Sequence, residues 1–132
     1  MPMLLDTSGL YSLLVVEERF HIRAVDLLRG PINGITHSYI LAELVALCLA
    51  RGVGLSKTLD FLHDLHLDPE ISVVWVDRDL HWDAENLLSK RLDKTYSLCD
   101  AVSFVLMRRL GILEALTTDH HFEQEGFVRL LK

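Results

Sequence analysis

Residues 3–16, MLLDTSGLYSLLVV, read as a short buried strand from Met3 to Leu5 that breaks at Asp6 and continues as an apolar helix from Thr7. Three consecutive apolar residues show no in-and-out alternation. That is the pattern of a strand covered on both faces, as in parallel sheets flanked by helices. The rest of the chain repeats the alternation. A helix over roughly 18–29 stops at Gly30-Pro31, and Ile35-Thr36 is a weak strand before the apolar helix SYILAELVALCLA, residues 38–50, with Gly52 just past its end. Ser56 reads as the N-cap of a helix reaching about His66. ISVVWV, residues 71–76, is rich in β-branched side chains and bounded by Pro69 and Asp77, which makes it the clearest strand. A charged amphipathic helix from about Asp79 to Leu92 follows, then the loop DKTY and the helix SLCDAVSFVLMRRL, residues 97–110, stopped by Gly111. ALTT (115–118) and FVRLL (127–131) are two final strands around DHHFEQEG. The expected class is α/β, a three-layer α/β/α domain on a central, mostly parallel sheet of about five short strands. The pattern does not fix strand order.

A chain of 132 residues is sized for a single domain, 1–132, able to bury its own core. Half the residues are apolar, and no repeat, linker or low-complexity tract interrupts them. Cys48 and Cys99 each lie in an apolar run, so reduced, buried thiols are expected rather than a disulfide framework or a thiolate zinc site. The start carries no basic n-region and no apolar stretch is long enough to span a bilayer, which points to a cytoplasmic protein with no membrane role. The formal charge of −6 argues against gripping nucleic acid by general attraction. A bound divalent cation would reverse that field locally.

Four carboxylates stand out by position. Asp6 ends a strand, where open α/β sheets build their sites, and a strand-to-helix junction is equally where Asp serves as an N-cap. Glu43 is the only charge between His37 and Arg51 in a helix apolar nearly all round, so burial is expected, and with it a cation, a proton or a long-range ion pair. On that reading Glu43→Gln stabilises the metal-free protein. Asp100 is the only charge from Ser97 to Met107, yet it lies three residues after Ser97, in capping-box spacing. Asp119 repeats the position of Asp6, with the same capping alternative. His120 and His121 beside it lack zinc-type spacing, and adjacent histidines should diverge. Ser103 shares a helical face with Asp100 and reads either as an orienting hydroxyl or as a packing residue. An oxygen-only donor set suits Mg²⁺ or Mn²⁺ and leaves places for phosphate oxygens, so it points to phosphoryl chemistry. No Gly-rich P-loop, nucleophile elbow or Cys-His pair offers an alternative.

LLDTSGLYSLL, SYILAEL with Glu43, YSLCDAVSFVLMRRLGI with Asp100 and ALTTDHHFEQEGF with Asp119, in this order and spacing, resemble the PIN-domain ribonucleases, a family that includes the VapC-type toxins of toxin–antitoxin pairs. The resemblance implies a metal-dependent ribonuclease in which Asp6, Glu43, Asp100 and Asp119 are both the catalytic and the metal-holding cluster for Mg²⁺ or Mn²⁺. Thr7, Ser8 and Ser103 would be auxiliary hydroxyls. It further implies an RNA substrate, an antitoxin protein as partner and a homodimer. A phosphatase of the haloacid dehalogenase type wants a second Asp two residues after the first, where this chain has Ser8. The remaining alternative is a catalytically silent PIN-fold module that binds a partner protein through apolar helix surface. Basic residues are confined to patches such as Arg19, Arg23, Arg29 and Arg108-Arg109, which leaves the RNA-binding surface open.

Overall fold

The strand read from residues 3–5 is the centre of the sheet. A computed structural model describes residues 2–132, with Met1 outside them. The elements run β1 (Pro2–Leu5), α1 (Thr7–Leu14), α2 (His21–Leu27), β2 (Asn33–His37), α3 (Ser38–Ala50), α4 (Leu55–Leu67), β3 (Ile71–Val74), α5 (Arg78–Ser89), α6 (Leu98–Leu110), β4 (Glu114–Leu116), α7 (His121–Gln124) and β5 (Val128–Arg129). All four strand pairings are parallel, in the order β3-β2-β1-β4-β5. Leu4 and Leu5 are fully buried, as a central strand covered on both faces requires. Successive right-handed crossovers from β1 to β2 to β3 put α1–α4 on one face, and the return from β3 to β4 puts α5 and α6 on the other. The packing agrees: α1 touches α2 and α3, α3 touches α4, and α5 lies along α6. Among the described residues no helix is long and apolar enough to cross a membrane.

The direction of strand order reverses between β1 and β4. At such a switch point the two following loops diverge and leave a crevice at the carboxyl ends of the strands. Met3, Leu4 and Leu5 pair with Glu114, Ala115 and Leu116, so Asp6 and Thr117 leave the sheet side by side. Gly9 makes this junction possible. A Cβ there would lie 2.0 Å from the Leu116 carbonyl oxygen, so α1 sits directly on the end of β4. Gly9→Ala must push α1 off β4, and overpacking of this kind costs about 1–3 kcal/mol. Chemical denaturation should show that loss; an unchanged midpoint would mean that the contact is not needed.

Several boundaries differ from the sequence reading. Gly54, not Ser56, occupies the N-cap of α4, and the helix begins one residue later at Leu55. The helix expected over 18–29 is only His21–Leu27, and the strand expected over 71–76 ends at Val74. DHHFEQEG contains the short helix α7. Gly111, at φ +68°, ends α6 in the left-handed conformation the sequence suggested. Cys48 and Cys99 are buried and unpaired.

Candidate active site

Asp6 sits at the N-cap position of α1 but makes no capping hydrogen bond, so its carboxylate is free for another role. It is buried, and Thr117 Oγ1 donates to its Oδ2 at 2.7 Å. Thr117 is fully buried and its single proton is committed to Asp6. It therefore accepts from the Asp119 N–H at 3.0 Å and from Ser8 Oγ at 3.2 Å, and Ser8 in turn accepts from the Thr118 N–H at 2.9 Å. One hydroxyl thus joins Asp6, Ser8 and Asp119 across the switch point. Burial drives the Asp6 carboxyl up to about 7; hydrogen bonds from Thr117 and the Thr7 backbone oppose this only in part, while the charges of Asp100 and Glu43 add to it.

Asp100 does take part in a capping box: its Oδ2 accepts from the Ser97 N–H at 3.1 Å, and Ser97 Oγ accepts from the Asp100 N–H at 3.0 Å. The box orients the carboxylate rather than occupying it, since the same Oδ2 lies 3.1 Å from His121 Nδ1. Burial raises the Asp100 carboxyl, the Ser97 hydrogen bond lowers it, and the charge of Asp119 raises it again. Asp119 Oδ1 accepts from the His121 N–H at 2.9 Å, while His120 holds the N-cap of α7. His121 Nδ1 is also 3.3 Å from Asp119 Oδ1, so this imidazole bridges the two carboxylates. The adjacent histidines do not diverge as expected: Asp119, His120 and His121 each bring a donor atom within 4.8 Å of the others.

Glu43 corrects the sequence reading most sharply. It is exposed, on the solvent side of α3 together with Ala42 and Ala46, so the expected burial of that helix all round is wrong. The gain in stability foreseen for Glu43→Gln goes with it. Glu43 nonetheless acts on the same site, because its charge helps to raise the Asp6 carboxyl. Burial pushes the Cys99 thiol up, and the charges of Glu43, Asp6 and Asp100 push it further. Asp6, Glu43 and Asp100 thus influence one another, and Asp119 joins Asp100 through His121, while the compact donor group among the described residues is Asp119, His120 and His121.

The hydroxyls divide. Ser8 belongs to the Thr117 network, and Thr7 Oγ1 is buried with no partner. Ser103 is bonded at 2.8 Å to Nε2 of the fully buried His37. His37 Nδ1 accepts from the Ile40 N–H at 3.3 Å as the N-cap of α3, so the proton is on Nε2 and Ser103 accepts it. Burial lowers the His37 pKa to about 4.

The fit to a divalent cation can be judged from these groups. Among the described residues Asp6 is buried with no cationic partner, and the Thr7 hydroxyl next to it has no hydrogen-bond partner. The donors are oxygens, with one imidazole nitrogen alongside. That set suits Mg²⁺ or Mn²⁺.

Thr117 and His121 escaped the sequence reading as site residues. A hydroxyl on the last turn of strand before Asp119 was a signal for the first. Nothing short of the fold places the His121 ring between Asp100 and Asp119.

A family profile, described as PIN domain, matches residues 3–127. A crystal structure of Mycobacterium tuberculosis VapC20, described as a sarcin-ricin loop cleaving toxin, superposes with a TM-score of 0.87 at 26% identity, covering 98% of this chain and 99% of that one. No curated protein matches the sequence significantly.

Proposed function

This chain belongs to the PIN-domain family, and on that footing we propose that it is a metal-dependent endoribonuclease, the toxin of a toxin–antitoxin pair, acting on structured RNA with Mg²⁺ or Mn²⁺ as cofactor. The observation that carries the proposal is the buried Asp6 carboxylate at the switch point, raised further by the charges of Asp100 and Glu43 and in no salt bridge among the described residues, with Asp119 tied to Asp100 through His121. Those four carboxylates would hold the ion. A divalent ion there supplies Lewis acidity, lowering the pKa of water and offsetting charge on phosphate oxygens.

The remaining work falls to the protein. Thr117 fixes the Asp6 carboxylate and, through the Asp119 N–H, the start of the Asp119 loop. Ser97 fixes Asp100 from the N-cap of α6, and His121 Nδ1 bridges Asp100 and Asp119. The site needs no side-chain nucleophile. The sarcin-ricin loop reported for the related toxin is the first RNA to try. An antitoxin partner and a homodimer are part of the same proposal, and the exposed Ala42, Ala46 and Leu49 of α3 support an apolar contact.

The test is cleavage of a hairpin carrying the sarcin-ricin loop sequence, and of total RNA, by purified protein with Mn²⁺ and with chelator. Cleavage with Mn²⁺ alone is expected, and Asp100→Asn should lack it. Absence of cleavage from the wild type under both conditions would favour the silent interaction module. Thr117→Val removes only the shared hydroxyl. Loss of such an orienting partner typically costs 10–100-fold in metal affinity or activity, and Mn²⁺ titration by calorimetry should show it; unchanged affinity would remove Thr117 from the site.

A further inference from the structure

An acidic chain must meet RNA somewhere, and ion pairing narrows where. Of the 13 Lys and Arg residues, Arg29, Arg51, Arg91, Lys94, Arg108, Arg109, Arg129 and Lys132 are in salt bridges among the described residues. The Arg108-Arg109 patch is therefore engaged: Arg108 binds Glu125, whose side chain is 4% exposed, and Arg109 binds Asp83. Arg19 is among the cations outside these pairs.

Arg19 lines a cavity of about 260 Å³ with Ser8, Tyr11, Glu18, Phe20, Arg51 and Thr118, so two arginines and one carboxylate border it. Ser8 and Thr118 make this cavity a neighbour of the carboxylates, because Ser8 bonds Thr117, which bonds Asp6. Both arginines that line it are laid over a ring: Arg19 at 5.0 Å from the Phe20 centroid and Arg51 at 5.2 Å from that of Tyr11. A guanidinium stacked on an aromatic face is held in orientation with its N–H edges available, the arrangement that binds phosphate in two-pronged fashion. Arg51 is held only loosely by Glu18, at 3.7 Å between half-exposed groups, a contact worth little. Glu43, Leu47 and Arg51 follow one another at spacings of four on α3, so the same helix face runs from a site carboxylate to this cavity.

We infer that the cavity between α1, the α1–α2 connection and α3 binds one nucleotide flanking the cleaved bond, its phosphate between Arg19 and Arg51 and its base against the Arg19–Phe20 stack. This rests on the ribonuclease reading of the carboxylates. The volume, near the lower bound of roughly 300 Å³ for small-molecule sites, suits a single nucleotide and not a duplex.

The experiment measures binding of a fluorescein-labelled sarcin-ricin hairpin by anisotropy over a salt series, with Asp100→Asn as background, and cleavage kinetics with Asp100 intact. Arg19→Ala and Arg51→Ala are each expected to weaken binding about tenfold and to reduce the slope of log K against log salt by about 1, the signature of one lost phosphate contact. In cleavage the loss should fall on KM. Lys57→Ala, on α4 and outside the cavity, should leave Kd unchanged. Wild-type cleavage with unaltered Kd, slope and KM in both arginine variants overturns the subsite while leaving the nuclease intact, as does an equal loss in Lys57→Ala. A wild type that neither binds nor cleaves RNA overturns both. Melting curves of these exposed variants confirm folding.

Discussion

Asp6→Asn is expected to reduce RNA cleavage by more than about 100-fold, beyond the 10–100-fold typical of residues that only orient ligands, and to make the metal-free protein more stable. The two effects share one cause. Burial holds the Asp6 carboxyl at about 7 against an ordinary value of 3.8. The folded protein thus binds a proton that the unfolded chain releases between these values, so stability falls as pH rises from about 3.8 to 7. At 1.36 kcal/mol per pH unit the cost above pH 7 is about 4 kcal/mol. Asn cannot ionise, and its amide oxygen still accepts from Thr117. Urea unfolding with chelator at pH 8 should show the gain. A variant less stable than the wild type would mean that Asp6 serves the fold.

His37 gives the second large effect, with the opposite sign. Its pKa falls from 6.5 to about 4 on folding, so the unfolded chain binds the extra proton in that window. Stability from the neutral imidazole is fully present above pH 6.5 and is lost as pH falls to 4, about 3 kcal/mol in all. In the metal-free wild type the Asp6 slope offsets this over nearly the same range, and stability should be almost flat from pH 4 to 6.5. In Asp6→Asn the Asp6 offset is gone, and stability should fall more steeply toward acid than in the wild type. Unfolding free energies of both proteins across that window test the pair: parallel profiles would contradict one of the two assignments.

How far the sequence could be read follows from the same residues. The strand ends before Asp6 and Asp119 were legible because apolar runs end abruptly there, and Gly52 and Gly111 mark helix ends by their positive φ. α3 misled because its solvent face carries Ala42, Ala46, Leu49 and Ala50. Apolar composition cannot separate a buried helix face from an exposed one that lacks polar residues, so Glu43 was taken as buried. Asp6 and Thr117 adjoin only through the β1–β4 pairing, 111 residues apart in sequence. Strand order, and with it the switch point, is set by packing of the whole chain. His37 and Ser103, 66 residues apart, pair for the same reason: they are neighbours in the core and not along the chain. Ser103 supports the N-cap of α3 through His37.

The most direct test of the central claim is an electron paramagnetic resonance titration of Mn²⁺ into metal-free protein, comparing the wild type with the double variant Asp6→Asn/Asp119→Asn. The free-ion signal should be suppressed as wild type is added and should persist with the variant, whose fold is verified by circular dichroism. Equal suppression by both proteins would place the cation elsewhere and contradict the account.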